Sequence, residues 1–275
     1  MRFCFKDRFL EMGGTPLVMG ILNVTPDSFS DGGECVECDA ALSKARKMLD
    51  EGAAMIDIGG ESTRPGHESV ALEEELRRVV PVVGELRRAL GDGPVISVDT
   101  TKPKVAEEAL EAGADIVNDV SALAVGGFDM CAVLKRFRAG CILMHSRPIP
   151  AGAEPMQAIA ASLEDSLKYA LDNTGLPREY FALDPGIGFC KDLKQNLLCC
   201  TEYSCLRKLG LPILVGASRK SFLGLVTERP VEQRDYATVA VSFIAAYLGA
   251  DMLRVHNVAA NMDAVKVAMA LRGEQ

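Results

Sequence analysis

Residues 51–60 read EGAAMIDIGG and residues 111–120 read EAGADIVNDV, and the two stretches share one pattern. In each, a glycine follows a helical segment, a short apolar run comes next, and a polar residue lies at or near the end of that run. Glycine directly after a helix is a common helix stop. A short run of apolar residues without polar alternation is typical of a parallel strand that is buried on both faces. Both stretches therefore predict a helix–turn–strand unit of an α/β protein.

The same unit recurs from one end of the chain to the other. Amphipathic helical stretches such as 39–51, 72–89 and Pro103–Ala112 alternate with short apolar segments. The predicted strands are Leu17–Asn23, Met55–Gly59, Val95–Asp99, 116–118, 141–145, Phe181–Asp184, 213–216 and 252–256. Strict alternation predicts parallel strands with crossover helices, and eight units in about 250 residues fit a closed barrel. We therefore predict a single (β/α)8 TIM barrel over residues 17–275, with residues 1–16 as an extension covering its N-terminal end.

Composition excludes several function classes. The 275 residues carry a net charge of −8, which argues against a nucleic-acid surface. No apolar run approaches the roughly 18 residues of a membrane span, and charged residues interrupt the start of the chain, so we expect neither a membrane partner nor a signal peptide. The nine cysteines are scattered, and the lone pair Cys35 and Cys38 has no second pair beside it. Reduced thiols in a cytoplasmic protein are the expectation.

A polar side chain lies at the carboxyl end of every predicted strand, which is the end where a barrel of this type carries its active site. A single Asp or Asn there is more simply a helix N-cap, but eight polar ends in one chain favour a binding site. Four of the residues, suited to a flat heterocycle rich in N–H groups, are Asp57, Asp99, Asn118 and Asp184. Four cations, suited to phosphate groups, are Arg64, Lys220, Arg254 and His256.

The loop after the first strand adds a metal prediction. Asn23, followed by Asp27 and Asp31, offers oxygen ligands for Mg²⁺, which commonly bridges phosphates. Glycines at 32–33 and at 66 would let two long loops move over the barrel mouth. The residues therefore predict a site for a polar heterocycle that carries a diphosphate. Structural alternatives remain open for Asp57, as an acceptor of backbone N–H groups, and for His145, as a packed imidazole.

Eight motifs together resemble the dihydropteroate synthase family. They are GILNVTPDSFSDGG (20–33), IDIGGESTRPG (56–66), SVDTTKP (97–103), DIVNDVSAL (115–123), LMH (143–145), DPGIGF (184–189), GASRKSFLG (216–224) and LRVHNV (253–258). The resemblance covers nearly the whole chain, and the first two motifs and the SRKSF segment are the most specific. It implies condensation of 6-hydroxymethyl-7,8-dihydropterin diphosphate with 4-aminobenzoate, giving 7,8-dihydropteroate and pyrophosphate. It also implies Mg²⁺ as cofactor and a homodimer.

The resemblance implies a role for each matching residue. The implied pterin site is Asp57, Asp99, Asn118, Met144, Asp184, Phe189, Gly216 and Lys220. The implied diphosphate site is Asn23, Thr63, Arg64, Arg254 and His256, with Asn23 as the Mg²⁺ ligand. The implied aminobenzoate site is Phe29, Thr63, Pro65, Lys220 and Ser221. The implied catalytic residues are Asp31, Arg64, Asp99, Asp184 and Lys220.

Two segments depart from the family pattern. Residues 146–148 are Ser-Arg-Pro where Met-Gln-Gly or similar is usual, and residues 190–192 are Cys-Lys-Asp where Gly-Lys-Thr is usual. Arg147 offers an additional anion contact in the first segment. Three alternative functions stay open at this point: a methyltetrahydrofolate–corrinoid methyltransferase, a non-catalytic pterin-binding barrel and a generic phosphate-binding barrel.

Overall fold

A barrel of eight parallel strands forms the centre of the protein, in a computed structural model that describes residues 1–24, 34–61 and 70–273. An antiparallel hairpin of β1 (Arg2–Phe5) and β2 (Arg8–Glu11) precedes it. The barrel strands are β3 (Leu17–Asn23), β4 (Met55–Gly59), β5 (Val95–Asp99), β6 (Ile116–Asp119), β7 (Gly140–Met144), β8 (Phe181–Asp184), β9 (Leu214–Val215) and β10 (Met252–Val255). Seven parallel pairings run in the order β8-β7-β6-β5-β4-β3-β10-β9, and a parallel bridge between Leu183 and Ile213 joins the two outer strands.

Helices surround the strands. They are α1 (Glu34–Asp50), α2 (Leu72–Leu90), α3 (Pro103–Ala112), α4 (Gly127–Phe137), α5 (Pro155–Thr174), α6 (Leu193–Thr201), α7 (Ser221–Thr227), α8 (Asp235–Tyr247) and α9 (Val258–Arg272). One helix follows each barrel strand except β9, which both α7 and α8 follow. The predicted single (β/α)8 barrel is confirmed. Within the residues that the structure describes, no helix combines the length and the apolarity that a membrane crossing requires.

Alternation along each strand separates an outer from an inner layer. On β4, Ile56 and Ile58 face the helices and are fully buried with Val79 and Leu86 of α2. The alternate residues of β4 point into the barrel, since successive side chains of a strand alternate between its faces.

Glycines end several helices before the next strand, as the sequence predicted. Gly52 and Gly113 take positive φ values of 104° and 120°, which glycine adopts at little cost.

The lower barrel interior is apolar and closed. One inward-facing residue of each strand contributes to it: Met19, Met55, Val95, Ile116, Ile142, Ala182, Leu214 and Met252. Phe3 and Phe5 of the β1–β2 hairpin pack against this layer, with 0% and 1% of their surface exposed. Truncating either phenylalanine to alanine is expected to cost about 3–5 kcal/mol of stability. Most polar inward positions lie beyond this layer, namely Asp57, Ser97, Asp99, Asn118, Asp184 and Arg254. They place the candidate site at the carboxyl ends of the strands.

Several element bounds differ from the sequence prediction. The strands predicted as 141–145, 213–216 and 252–256 end at Met144, Val215 and Val255. His145, Gly216 and His256 leave the strands because the chain turns there into loops of the site. Helix α1 begins at Glu34 rather than at residue 39. None of the cysteines whose side chains the structure describes forms a disulfide.

Candidate active site

A small polar cavity lies where the barrel strands end. Its lining comes from six strand-end or loop regions: Asp99, Asn118, Val120, Met144, Asp184, Phe189, Gly216, Lys220 and Arg254. All of these except Val120 were predicted from the sequence as site residues. Their convergence follows from topology, because the carboxyl ends of eight parallel strands meet on one face of the barrel.

Arg254 connects two carboxylates from different strands. Its Nε donates to Oδ2 of Asp57 at 2.6 Å, and its Nη2 donates to Oδ2 of Asp99 at 2.7 Å. Asn118 also donates to Oδ2 of Asp57, at 3.0 Å. The second oxygens, Oδ1 of Asp57 and Oδ1 of Asp99, are buried without a hydrogen-bond partner among the described residues. Asp99 lines the cavity, whereas Asp57 lies outside its lining and is reached through Arg254 and Asn118. Asp99 can therefore accept from a ligand that brings its own N–H donors.

Asp184 forms the opposite carboxylate of the cavity. Its Oδ1 accepts the backbone N–H of Gly186 at 2.7 Å. Burial raises the pKa of Asp184 to about 6, although the Gly186 hydrogen bond and Lys220 both oppose the rise. A Cβ added at Gly216 would lie only 3.7 Å from Oδ2 of Asp184. Glycine at 216 therefore keeps the face of this carboxylate open.

Lys220 enters the cavity over an aromatic ring. Its Nζ lies 4.0 Å from the ring centroid of Phe189, within cation–π range. Burial and the neighbouring Arg254 lower the pKa of Lys220 to about 8. Burial also raises the pKa of Asp99, against the attraction of Arg254. The cavity thus gathers two cations, Lys220 and Arg254, and two carboxylates, Asp99 and Asp184, with Asp57 paired to Arg254. Because these groups are buried, each charge acts strongly on the others.

The two cations at the start of the β9–α7 connection point in different directions. Arg219 takes a left-handed backbone conformation (φ 57°) and donates to both oxygens of Asp235 at the start of α8. Lys220 turns into the cavity. Two adjacent cations at a helix N-terminus are unfavourable against the helix dipole. The ion pair with Asp235 compensates the charge of Arg219, and Lys220 remains available to the site.

His256 is oriented by a serine from the next strand end. Oγ of Ser218 lies 2.9 Å from Nδ1 of His256 and also accepts the His256 backbone N–H at 3.2 Å. A hydroxyl has one proton and two lone pairs, so it can serve Nδ1 in either tautomer while it accepts from the backbone. The two contacts therefore fix the orientation of the His256 ring at the end of β10.

The described residues fit Mg²⁺ only as an ion shared with a ligand. Oδ1 of Asn23 lies beside Gly59 and near Asp99, 3.8 Å from the position of a Cβ at residue 59. Within residues 1–24, 34–61 and 70–273, no group of three or more His, Cys, Asp or Glu could hold a metal ion. Mg²⁺ commonly takes one or two protein oxygens and completes its shell with water and phosphate oxygens. The single Asn23 oxygen fits this coordination if a bound diphosphate supplies the phosphate oxygens.

Five predicted site residues lie outside the described residues. They are Phe29, Asp31, Thr63, Arg64 and Pro65. Asp27, weighed as a further oxygen ligand, lies there too. Ser221 is described and begins α7, directly after Lys220.

Comparison with known proteins agrees with this geometry. The "Pterin binding enzyme" family profile matches residues 19–256. Dihydropteroate synthase of Clostridium beijerinckii is 44% identical to this chain over 262 residues, which are 94% of each chain. The chain belongs to the dihydropteroate synthase family.

Solved dihydropteroate synthase structures have the same fold. The Clostridium difficile enzyme, determined in the presence of pteroic acid, superposes with a TM-score of 0.90 at 41% identity, covering 95% of this chain and 98% of that one. The Xanthomonas albilineans enzyme with 4-aminobenzoic acid also gives 0.90, at 40% identity and 98% of both chains. Both comparisons cover at least 95% of this chain.

Sequence reasoning missed three residues of this dihydropteroate synthase site. Val120 lines the cavity, Ser218 orients His256, and Lys191 binds the loop that carries Phe189. Val120 and Ser218 stand within the family motifs, and Lys191 lies two residues after the end of DPGIGF. Their position beside the predicted residues was the available signal. Arg147, predicted as an additional anion contact, is exposed.

Proposed function

We propose that this chain condenses 6-hydroxymethyl-7,8-dihydropterin diphosphate with 4-aminobenzoate, releasing pyrophosphate and 7,8-dihydropteroate. Membership of the dihydropteroate synthase family makes it a transferase of folate biosynthesis. The observation that carries the proposal is the group of buried charges at the strand ends. Asp99, Asp184 and Lys220 line one cavity with Arg254, which is paired with Asp57. Oδ1 of Asp99 and Oδ1 of Asp57 have no hydrogen-bond partner among the described residues.

The carboxylates bind the pterin ring in this proposal. The aminopyrimidinone edge of a pterin presents several N–H donors, and ionised carboxylates are acceptors only. Asp57 and Asp99 accept from one part of the ring, and Asp184 accepts from another. Asn118 and Lys220 bind the ring's own acceptors. Met144, Phe189 and Gly216 line its faces.

Cations bind the diphosphate. We propose that Ser218 donates to Nδ1 of His256 and that Nε2 carries the ring proton and donates to a phosphate oxygen. Arg254 supplies charge-assisted hydrogen bonds, and Thr63 and Arg64 of the second loop belong to the same predicted set. Asn23 would hold Mg²⁺, and the ion would supply further neutralisation of the charge on the leaving group.

The reaction needs no covalent enzyme intermediate. The bond from the exocyclic methylene carbon to the diphosphate oxygen breaks, and pyrophosphate leaves with the electron pair. The cation that remains is delocalised into the dihydropterin ring, where the carboxylates of Asp99 and Asp184 stabilise it. The neutral amine of 4-aminobenzoate forms the new C–N bond and loses one proton. Asp31 is the proposed acceptor of that proton, and Phe29, Pro65, Lys220 and Ser221 are proposed to hold the aminobenzoate.

Pyrophosphate release tests the proposal. The purified protein is given the dihydropterin diphosphate with and without 4-aminobenzoate, and with and without Mg²⁺. Release that requires all three, with dihydropteroate formed in step, is the expected result. Pterin binding without release would instead favour a non-catalytic barrel. Methyl transfer from methyltetrahydrofolate to a corrinoid protein would favour the related methyltransferase.

We also propose that the protein is a cytoplasmic homodimer. Several large apolar side chains of α8 and α9 are exposed, among them Tyr247, Val267 and Leu271. Exposed apolar groups close together are typical of surfaces that bind another chain. Light scattering that finds twice the mass of one chain is the expected result, and a monomer at all concentrations would contradict it.

A further inference from the structure

Lys191 has four acceptors around its ammonium group. Nζ lies 2.9 Å from the carbonyl oxygen of Gly186, 3.1 Å from that of Phe189 and 3.2 Å from that of His145. It also lies 3.1 Å from Nδ1 of His145. An ammonium group has three N–H donors and no acceptor, so its hydrogen-bonding capacity is used entirely within the protein.

These contacts connect two strand ends. His145 directly follows β7, whereas Gly186 and Phe189 belong to the loop after β8. The two segments pack closely, since a Cβ at Gly186 would lie 1.8 Å from the carbonyl oxygen of His145. Three carbonyl dipoles converge in this space with their negative ends together. A cation between them stabilises an arrangement that would otherwise be repulsive.

The same loop sets the geometry of the cavity. Phe189 precedes Lys191 by two residues, and its ring supports the ammonium of Lys220 at 4.0 Å. The Gly188 backbone passes so near Lys220 that a Cβ there would lie 2.8 Å from its Cδ. Asp184 begins the loop and accepts the Gly186 N–H. A displacement of this loop would therefore move Phe189 and Lys220 together.

We propose that Lys191 is a positioning residue for the pterin: its ammonium ties the β8–α6 loop to the end of β7, and thereby holds Phe189 and Lys220 against the pterin plane. The inference rests on the proposed function for the identity of the ligand. Lys191 itself touches the loop and His145, so it acts through its neighbours and not on the reacting atoms.

His145 provides a spectroscopic probe of the contact. Burial, Lys191 and Arg147 together lower the pKa of His145 to about 4. The neutral ring accepts the Lys191 proton at Nδ1, so its own proton is on Nε2. The chain has three histidines, and the ring signals of His145 can be assigned by comparison with a His145→Gln variant.

The test compares Lys191→Met, Lys191→Arg and the matched control Lys194→Met, which removes an exposed lysine three residues away. Calorimetry gives the Kd of each for the dihydropterin diphosphate, and kinetics give KM for both substrates. Loss of a charged hydrogen-bond donor is expected to weaken pterin binding by about tenfold or more in Lys191→Met, with less loss in Lys191→Arg. KM for 4-aminobenzoate is expected to rise less than the pterin Kd, because Lys220 is only one of its proposed contacts. The Lys194→Met values are expected to stay within about twofold of wild type. The pKa of His145 is expected to rise in Lys191→Met.

Two results would overturn the proposal. One is an unchanged pterin Kd in Lys191→Met while the His145 signals show that the contact is lost. The other is an equal loss for both substrates, which indicates general damage to the fold. If Lys191→Met does not fold, the pterin Kd of Lys191→Arg is compared with that of wild type. Arginine cannot place one ammonium group among the four acceptors, so an unchanged Kd in Lys191→Arg would contradict the proposal. Pterin binding needs no turnover, so failure of the proposed function in the wild type leaves this test intact.

Discussion

Nε of Arg254 lies 2.6 Å from Oδ2 of Asp57, although 197 residues separate them in the chain. Asp57 has no exposed surface, and 15% of the Arg254 side chain is exposed. The pair exists because β3 lies between β4 and β10 in the barrel, so that residues from the two ends of the sequence face one interior. It is part of the fold and part of the proposed ligand site at once.

Arg254→Met is expected to lower stability as well as substrate affinity. Removing one partner of a buried ion pair leaves an uncompensated charge, which costs about 3–5 kcal/mol. Urea denaturation at pH 7.5 measures the loss. The double variant Arg254→Met with Asp57→Asn is the control, and it should regain part of the stability because one buried charge is removed. Equal stability of the single variant and the wild type would contradict the prediction.

Asp184→Asn is expected to lose activity and gain stability. Asparagine keeps an oxygen for the Gly186 N–H but cannot carry the charge proposed to stabilise the cation, so turnover should fall at least about a hundredfold. Burial raises the pKa of Asp184 from 3.8 to about 6, so the folded state binds more protons than the unfolded state between those values. The stability that the neutral carboxyl contributes is therefore present below pH 3.8 and lost as the pH rises through about 6.

The size of this effect follows from linkage. A shift from 3.8 to about 6 corresponds to about 3 kcal/mol as an upper value. The free energy of unfolding of Asp184→Asn should therefore exceed that of the wild type at pH 7.5, and the difference should shrink as the pH approaches 4. A difference that does not change with pH would show that this carboxyl is ionised normally in the folded protein.

The pH dependence of kcat/KM for the dihydropterin diphosphate should be bell-shaped. On the acid side, protonation removes the acceptors of Asp184, whose pKa burial raises to about 6, and of Asp99, whose pKa burial raises to about 7. On the alkaline side, loss of the Lys220 proton removes a donor above about pH 8. Lys220→Arg keeps a charge that does not titrate in this range, so its alkaline limb should move beyond about pH 10. Ionisation of the substrate affects wild type and Lys220→Arg equally. The difference between their two pH profiles therefore tests whether Lys220 titrates on the alkaline side.

The strand ends could be predicted from the sequence because two simple rules fix them. Parallel strands are short and apolar, and their last inward residues face one another across the barrel. Asp99, Asn118, Asp184 and Arg254 were therefore predicted without any structure, and they line one cavity. Which carboxylate oxygen pairs with Arg254 was not predictable, because it depends on the tilt and stagger of the closed barrel.

The β8–α6 loop shows a second limit. Cys190 has a left-handed φ of 48°, a conformation that glycine takes at little cost and other residues rarely adopt. Cys190 was visible in the sequence as a departure from a glycine pattern, but the contacts that hold the loop are those of the neighbouring Lys191. Its four acceptors are backbone oxygens and one ring nitrogen, which no side-chain pattern reveals.

Ser218→Ala is expected to raise KM for the dihydropterin diphosphate by about three- to tenfold. The substitution removes the hydrogen bond that orients His256, which is proposed to contact the diphosphate. Without the hydroxyl, Nδ1 and Nε2 of His256 compete for the ring proton, so the donor proposed to face the diphosphate is present only part of the time. Ser218→Thr keeps the hydroxyl and is the matched control. Steady-state kinetics measure KM, and ¹⁵N chemical shifts of His256 report which ring nitrogen carries the proton. A change in tautomer without a change in KM would contradict a contact between His256 and the diphosphate. A change in both, with wild-type behaviour of Ser218→Thr, would support a hydrogen bond from the Nε2 proton to the leaving group.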